Sequence, residues 1–266
     1  MVRLQPRVTL SSNEQLSSSS NRQTVQFEKM LRFTIYFLTL SLALTGAAAS
    51  SGLKFDDDGH SYISFSPDMS PLTEKFSFCV WIKKFISSKN PVAFAYAESE
   101  LFIFDYGGYR LFGTNGAISV TLTPGSWYQY CGTWSLASGT FRAYINGAEV
   151  GTMNTPSGRK LTTGRKLVLG DYWDPSEKGN TGNHFGGEMY NFNLFSKELS
   201  GTEVAELSKN GLCTPVPDDL QPYNLIKWEE IMNLDRSGNV QDLETGCKVG
   251  VSSDQISFST NSYCIH

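Results

Sequence analysis

Apolar and polar residues alternate in short runs between residues 53 and 168, and turn residues separate the runs. The runs are YISFS, FSFCVWIKKF, VAFAYAES, ELFIFDY, YRLFG, AISVTL, WYQYCGTWSL, FRAYINGAEV and KLVLG. Short runs rich in aromatic and β-branched residues between turn signals are typical of β-strands. Because no helical pattern separates them, they predict an all-β protein, a two-sheet antiparallel sandwich rather than a parallel sheet.

Two of the runs carry further local signals. Asn146-Gly147 divides FRAYI from AEV, and this pair favours a type I′ hairpin because both central residues of that turn have positive φ. In FSFCVWIKKF, Phe76, Phe78 and Val80 alternate with Ser77, Cys79 and Trp81, so both faces of this part of the strand are predicted to be buried.

One short helix is predicted over residues 200–210, within SGTEVAELSKNG. Ser200 and Glu203 form a capping box, and Gly211 provides a left-handed stop. An apolar stripe follows the cap at Val204, Ala205 and Leu207. The helix is too short to be a domain, so we expect it to lie across the sandwich. The segment LIKWEEIMN, residues 225–233, is then predicted to add another strand or turn.

Residues 30–50, MLRFTIYFLTLSLALTGAAAS, have the pattern of a secretory signal: a basic start, an apolar run and small residues at the end. The apolar run is shorter than the roughly 20 residues of a spanning helix, which is the alternative. We therefore expect a signal peptide over residues 30–49 and a secreted, extracellular protein. Residues 1–29 are polar and serine-rich, which predicts a disordered leader or a start upstream of the true first residue, Met30.

Removing residues 1–49 takes away five of the 22 basic and two of the 26 acidic residues. The remaining 17 basic and 24 acidic residues give a net charge of −7, which argues against nucleic acid and anionic membranes as partners. No linker rich in Pro or Gly divides the rest, so one domain is predicted over residues 50–240, with a cysteine-containing tail over 241–266.

Oxygen donors are densest in residues 171–188, DYWDPSEKGNTGNHFGGE. The donors are Asp171, Asp174, Ser176, Glu177, Asn180, Thr181, Asn183 and Glu188. Calcium takes about six to eight oxygen ligands in irregular geometry, whereas zinc would ask for Cys or His. The segment is therefore predicted to bind calcium, and the alternative is a solvated surface loop that binds nothing.

Catalysis is not expected. Jelly-roll glycosidases place paired carboxylates on one strand in a Glu-x-Asp-x-x-Glu arrangement, and no such spacing occurs here. His184 adjoins the acidic segment, but no Ser or Cys nucleophile is marked beside it, so we interpret it as a surface histidine.

The stretch CGTWSLASGTFRAYINGAEV, which begins at Cys131, resembles the pentraxin family, in which Cys, Ser or Thr, and Trp precede a hairpin. The resemblance continues through LVLG, GGEMYNFNLFSKELS, the helix and LIKWEEI, and spans roughly residues 52–240. It implies a two-sheet jelly roll like that of laminin-G domains and legume lectins. Gln129 and Leu136 stand where pentraxins have His and Ser or Thr, so a sister group in the laminin-G-like superfamily is the alternative.

The pentraxin resemblance implies a disulfide between Cys79 and Cys131, the alternative being two buried thiols. It also implies calcium ligands at Asp174 and Asn183 and, before ELFIF, at Glu98 and Ser99. Tyr172 and Trp173 stand where pentraxins have a Glu and a Gln in the ligand loop. Asp171 and Glu177 are then expected to substitute as ligands.

The resemblance places Phe104 where a pentraxin aromatic lines the ligand pocket. The acidic residue that meets choline in that family has no counterpart in Thr114-Asn115-Gly116. Tyr172 and Trp173, expected to be exposed beside a metal, favour a sugar instead. The alternative is that Trp173 packs against the loop. The sequence thus predicts a secreted recognition protein of the innate-immunity type that binds glycans or phosphorylated headgroups with calcium. The alternative is a laminin-G-like adhesion or matrix module that binds a protein without metal.

All five cysteines follow the predicted signal peptide, in a compartment where disulfides persist. We favour Cys213–Cys247 as a second bond because both residues flank LIKWEEI; Cys213–Cys264 and Cys247–Cys264 are the alternatives. Cys264 would then link two subunits or a partner chain, and pentraxins form rings, so a homo-oligomer is expected.

Overall fold

The computed structural model describes residues 51–57, 60–84, 92–97, 100–104, 108–113, 118–172, 184–244, 248–250 and 261–263. The predicted leader, the signal peptide and Cys264 lie outside these residues and stay predictions. None of the helices in the described ranges has the length and hydrophobicity needed to span a membrane.

The strands of the described residues are β1 Ser51–Phe55, β2 Ile63–Phe65, β3 Lys75–Lys84, β4 Val92–Tyr96, β5 Leu101–Phe104, β6 Gly108–Leu111, β7 Tyr128–Ser135, β8 Thr140–Ile145, β9 Ala148–Asn154, β10 Leu167–Leu169, β11 Gly187–Phe195, β12 Asn224–Ile226, β13 Val240–Glu244, β14 Lys248–Gly250 and β15 Asn261–Tyr263. The α-helices are α1 Gly201–Ser208 and α2 Trp228–Ile231. Short 3₁₀ helices occur at Ser70–Leu72, Gly211–Cys213 and Gln221–Tyr223.

The strands form two large antiparallel sheets and one small hairpin. An eight-stranded sheet has the order β13-β1-β11-β3-β7-β8-β9, with β12 paired to β11, and a five-stranded sheet has the order β2-β10-β4-β5-β6. Strands β14 and β15 pair with each other. The prediction of an all-β, two-sheet antiparallel sandwich is confirmed. Strand β13 belongs to the eight-stranded sheet, so the sheet extends to Glu244, into the segment predicted as the tail.

The core between the two sheets is aromatic. Phe78 of β3 meets Phe94 of β4 edge to face with ring centroids 5.1 Å apart, and Phe94 meets Phe192 of β11 at 5.0 Å. The opposite face of β3 is also buried, because Cys79 packs in a second cluster with Leu199, Val204 and Leu207 from α1 and the segment before it. Burial on both faces explains why β3 reads as a nearly continuous apolar run.

The predicted hairpin turn and the predicted capping box are both confirmed. Asn146 and Gly147 have φ values of 50° and 80°, as a type I′ hairpin turn requires. At α1 the Ser200 hydroxyl accepts from the backbone N–H of Glu203, and the Glu203 carboxylate accepts from the backbone N–H of Ser200. The Gln129 side-chain amide donates to the carbonyl of Leu207 at 2.8 Å, which ties the end of the helix to β7.

We expect the Glu203→Gln substitution to destabilise the fold at neutral pH and not in acid. Burial alone would raise the pKa of Glu203, but hydrogen bonds from Lys197 and Ser200 outweigh it and hold the pKa below its ordinary value of 4.5. A depressed folded pKa stabilises the native state above the unfolded pKa, and this stabilisation is lost as the pH falls through the folded pKa.

Urea midpoints at about pH 7 and about pH 3 measure this effect. The matched control is Glu206→Gln, since Glu206 is an exposed partner of Lys209 at 3.2 Å and surface pairs contribute little. A difference between wild type and Glu203→Gln that is as large in acid as at neutral pH would contradict the pKa argument.

Two features of the fold differ from the sequence prediction. The run AISVTL forms no strand over its described residues 118–122. Instead Ile118 makes a single β-bridge to Tyr109, in which the backbone N–H of Tyr109 donates to the carbonyl of Ile118 at 2.9 Å. The predicted return segment contains the strand β12 and, beyond the prediction, the helix α2. Trp228 fixes α2, because its indole N–H donates to the carbonyl of Ser51 at 2.8 Å and its ring meets Tyr190 edge to face.

Candidate functional site

The acidic segment begins where β10 ends, and its two ends meet at the sheet. Gly170 has φ 93°, and a Cβ there would lie 2.6 Å from the carbonyl oxygen of Ser61, so only glycine fits. The backbone N–H of Phe185 donates to the carbonyl of Gly170 at 2.8 Å. This bond closes the segment 171–184 at its base and brings Asp171 near His184 along the backbone.

Asp171 is buried, with 1% of its surface exposed. Its Oδ1 accepts from the backbone N–H of Tyr172 at 2.6 Å. Calcium takes carboxylate oxygens as ligands, so the donor chemistry of Asp171 fits calcium. Within the described ranges no three His, Cys, Asp or Glu side chains are grouped as a metal site. The other predicted ligands, Glu98, Ser99, Asp174, Glu177 and Asn183, lie outside these ranges, so the calcium set stays a prediction.

Tyr172 lies on the outer face of the five-stranded sheet, the face turned away from the core. Its ring packs on Val92 and Ala95, which form a cluster separate from the core that contains Phe94 and Tyr96. The pairing of β4 with β5 shifts between Val92 and Phe94, which inserts one extra residue into β4. This β-bulge explains how Val92 and Ala95, three residues apart, share one face. The sequence analysis expected Tyr172 to be exposed, and this expectation was wrong, because packing on Val92 and Ala95 leaves the tyrosine half-buried.

The strand register places the backbone of Phe104 beside Val92, one of the two residues under the Tyr172 ring. Phe104 pairs with Val92 across the β4–β5 ladder, so its backbone is next to the residue that Tyr172 contacts. Tyr172 and Phe104 were predicted separately as ligand-binding residues, and the register brings their positions together. Trp173, the third such residue, lies outside the described residues.

His184 stands at the other end of the closed segment. Its Nε2 lies 3.4 Å from Oδ1 of Asp57, and both side chains are about one-fifth exposed, at 22% and 23%. A Cβ at Gly186 would lie 2.7 Å from the Cβ of Asp57, so the glycine allows Asp57 to approach the backbone at this point. The histidine is thus held by a carboxylate at the base of the acidic segment.

The turn from β4 to β5 contains a buried charge that the sequence analysis did not identify. Glu100 is 6% exposed, and its carboxylate accepts from the backbone N–H of Thr162 at 2.7 Å, from Thr162 Oγ1 at 2.6 Å and from Arg159 Nη2 at 3.2 Å. A buried carboxylate requires such partners. A Glu that directly precedes the apolar run LFIF was the available signal for this residue.

The segment that holds Glu100 is also bonded to Tyr96. The Tyr96 hydroxyl donates to the carbonyl of Thr162 at 2.5 Å. Burial raises the pKa of Tyr96, so its hydroxyl keeps this proton throughout the neutral range.

The predicted disulfide between Cys79 and Cys131 is confirmed. The two residues are directly opposite each other in the β3–β7 register, with Cα atoms 4.2 Å apart. Cys213 is also disulfide-bonded, and its partner lies outside the described residues. The pairing Cys213–Cys247 therefore stays a prediction.

A second concave surface lies at the start of α1, with a volume of about 430 Å³. Three of its charged side chains are paired: Lys197 with Glu203, and Arg142 with its neighbour Glu149 at 3.6 Å. Because most of its charges are already paired, this surface offers less to a ligand than the outer face of the five-stranded sheet.

The chain belongs to the concanavalin A-like lectin/glucanases superfamily, whose family profile matches residues 57–205. Its relatives include pentraxins. It is 26% identical over 175 residues to the rat (Rattus norvegicus) Sushi, von Willebrand factor type A, EGF and pentraxin domain-containing protein 1. This match covers 61% of this chain and 5% of that protein. It is 23% identical over 163 residues to human neuronal pentraxin-2, and this match covers 58% of this chain and 36% of that protein. The chain thus spans only a part of either relative.

Solved structures agree on the fold. The native heptameric SAP-like pentraxin of Limulus polyphemus superposes with a TM-score of 0.57 at 20% identity, and the match covers 74% of this chain and 95% of that one. A Bacteroides ovatus protein named for carbohydrate binding gives a TM-score of 0.56 at 13% identity, covering 74% of this chain and 60% of that one. At these identities the likeness concerns the fold, which is the pentraxin-like and lectin-like jelly roll that the sequence resemblance implied.

Proposed function

We propose that this chain is a secreted recognition protein of the innate-immunity type that binds glycans or phosphorylated headgroups and catalyses no reaction. One observation carries the proposal: Tyr172 lies on the outer face of the five-stranded sheet, next to the buried carboxylate of Asp171 and beside the strand position of Phe104. An aromatic face beside a carboxylate suits a sugar, whose ring has apolar faces and whose edge carries hydroxyls. The superfamily and the pentraxin relatives support the same class of ligand.

The proposal includes a calcium ion bound by the acidic segment. Asp171 would hold it together with the predicted donors Asp174, Glu177 and Asn183 and with Glu98 and Ser99. When bound, the ion supplies a positive charge that sugar hydroxyls or phosphate oxygens coordinate. The buried Asp171, whose Oδ1 is already oriented by the backbone N–H of Tyr172, provides a preorganised oxygen at the base of the segment.

We expect the full chain to bind an array of glycans, phosphocholine and phosphoethanolamine conjugates in millimolar calcium and to lose that binding in excess chelator. Tyr172→Ala should weaken binding to the best conjugate roughly fivefold, since a stacked aromatic contributes on the order of 1 kcal/mol. The control is Tyr223→Ala, because Tyr223 is 42% exposed and contacts Lys197 before α1, on the other sheet.

The array also separates this function from a metal-free adhesion module. Binding to no conjugate, or equal binding with and without chelator, would contradict calcium-dependent recognition. Equal affinities for wild type and Tyr172→Ala would show that the ligand does not bind at the face that carries Tyr172. They would not contradict the proposed class of ligand.

A further inference from the structure

The loop between β9 and β10 is strongly basic. Residues 155–166, TPSGRKLTTGRK, contain Arg159, Lys160, Arg165 and Lys166 and no acidic residue. The chain that follows the predicted signal peptide has 17 basic residues in all, so four of the 17 lie within eight positions. Short segments this rich in Lys and Arg are typical of surfaces that bind polyanions.

The loop and the first residue of β10 contain the same four residues twice, as Gly158-Arg159-Lys160-Leu161 and Gly164-Arg165-Lys166-Leu167. The two copies also share their local structure. Their glycines have φ values of 72° and 69°, in the left-handed region that favours glycine, and their leucines are buried, with 3% and 1% exposed. In each copy the glycine turns the chain, and the buried leucine fixes the position of the basic pair that precedes it.

Hydrogen bonds to the sandwich order the loop backbone. At its start the backbone N–H of Thr155 donates to the carbonyl of Gly139 at 2.8 Å. In its middle the backbone N–H of Thr162 donates to the buried carboxylate of Glu100 at 2.7 Å, and the carbonyl of Thr162 accepts from the hydroxyl of Tyr96. A loop that is ordered before it binds loses less conformational entropy when a ligand arrives.

The first basic pair has acidic partners but stays accessible. Arg159 is 51% exposed, and its Nη2 donates to Glu100 at 3.2 Å. A guanidinium has five N–H donors, so Arg159 can bond a second anion. Lys160 is 50% exposed and lies 2.8 Å from Glu74, which is itself 68% exposed. Exposed ion pairs of this kind contribute little to stability, so an anionic ligand can take the place of the Glu74 carboxylate.

We propose that the 155–166 loop binds a sulfated polysaccharide. Two structurally equivalent basic pairs, six residues apart, suit a ligand whose anionic groups also repeat. A nucleic acid duplex or a membrane presents its charge over a wide surface, which the net charge of −7 on the rest of the argument's chain, 17 basic against 24 acidic residues, repels. A single polysaccharide chain can follow the loop alone. The site is independent of the proposed function, because it requires no calcium and uses none of the residues assigned there.

Calorimetric titration of heparin, a highly sulfated polysaccharide, into the full chain in excess chelator tests this site. The loop variant is Lys160→Gln with Arg165→Gln, since both side chains are exposed. The matched control is Arg142→Gln with Lys209→Gln, which also removes one Arg and one Lys, at positions 44% and 64% exposed on β8 and just after α1. We expect the loop variant to bind heparin at least tenfold more weakly than wild type, and the control to bind with wild-type affinity.

The salt dependence of heparin binding gives a second measurement. Each ionic contact with a polyanion releases about one counterion, so four contacts predict roughly a tenfold loss of wild-type affinity between about 0.1 M and 0.2 M salt. The loop variant has lost two of the four contacts. We therefore expect about half the wild-type slope when the logarithm of its affinity is plotted against the logarithm of the salt concentration.

Three further probes identify the class of partner: chemically desulfated heparin, a DNA duplex and phosphatidylserine vesicles. We expect each to bind wild type more weakly than heparin does. Tighter binding to the duplex or the vesicles, or equal binding to desulfated heparin, would overturn the assignment to a sulfated polysaccharide.

The variants decide whether the loop is the site. A wild-type protein that does not bind heparin, a loop variant that binds as well as wild type, or an equal loss of affinity in the loop variant and the control would overturn the proposal. Because chelator is present throughout, a failure of calcium-dependent recognition leaves these results unchanged, and a failure here leaves the proposed function unchanged.

Discussion

Replacing both Cys79 and Cys131 with alanine is expected to destabilise the protein by about 4 kcal/mol, because the disulfide closes a loop of 52 residues and such a loop restricts the unfolded chain. The bond joins neighbouring strands at the centre of the eight-stranded sheet, and its sulfur atoms pack under Val204 and Leu207 of α1. Losing it should therefore loosen the packing of the helix as well.

Urea titration measures this loss. With a slope of about 1–3 kcal/mol per molar urea, the midpoint should fall by more than about 1 M. Val150→Ala serves as the control, since Val150 is exposed on the edge strand β9 and surface changes usually stay within about 0.5 kcal/mol. A double variant whose midpoint matches the control would show that the sheet and helix hold together without the bond.

Gly132→Val is expected to cost about 3 kcal/mol or more, because β7 passes directly under two core rings at this residue. A Cβ at Gly132 would lie 2.5 Å from Cζ of Phe141 and 2.6 Å from Cε1 of Phe78. Both rings are fully buried, and Phe78 also packs against Phe94 of the other sheet. Neither ring can move without displacing its neighbours, and overpacking of this kind usually costs about 1–3 kcal/mol even for smaller additions.

Gly201→Ala is the control for this substitution. The nearest atom to a Cβ at Gly201 is Cε1 of Tyr144 at 3.8 Å, and alanine favours the first turn of a helix, so we expect no loss of stability. Circular dichroism during thermal unfolding compares the two variants with wild type. A Gly132→Val protein that melts with the wild-type midpoint would contradict the tight approach of β7 to the two rings.

Much of the fold could be predicted because its determinants lie within a few residues of each other. The alternation in β3, the Asn146-Gly147 turn and the capping box of Ser200 and Glu203 each depend on neighbours along the chain, and the structure confirms all three. The Cys79–Cys131 bond followed from the resemblance to pentraxins, and strand register supplies its physical reason, since the two cysteines face each other across β3 and β7.

The candidate site was less predictable, because its parts come together through pairing between distant strands. The sequence marked Asp171, Tyr172 and Phe104 as separate residues, but it carried no sign of the bulge in β4 that places Val92 beside Ala95 under the tyrosine. A bulge is a property of two paired strands. It cannot be seen in the periodicity of one of them.

The sequence by itself determined the class of fold, most strands of its core and the main helix, because hydrophobic alternation, turn residues and caps act locally, and its resemblance to pentraxins indicated the superfamily. Only the tertiary structure decided that Glu100 is buried and held by Thr162, that Trp228 anchors a second helix, and that Gly132 must be glycine. Each of these depends on a contact between residues far apart in the chain, Glu100 with Thr162, Trp228 with Ser51 and Gly132 with Phe78, and the free energy of such contacts becomes definite only when the sheets have paired and packed.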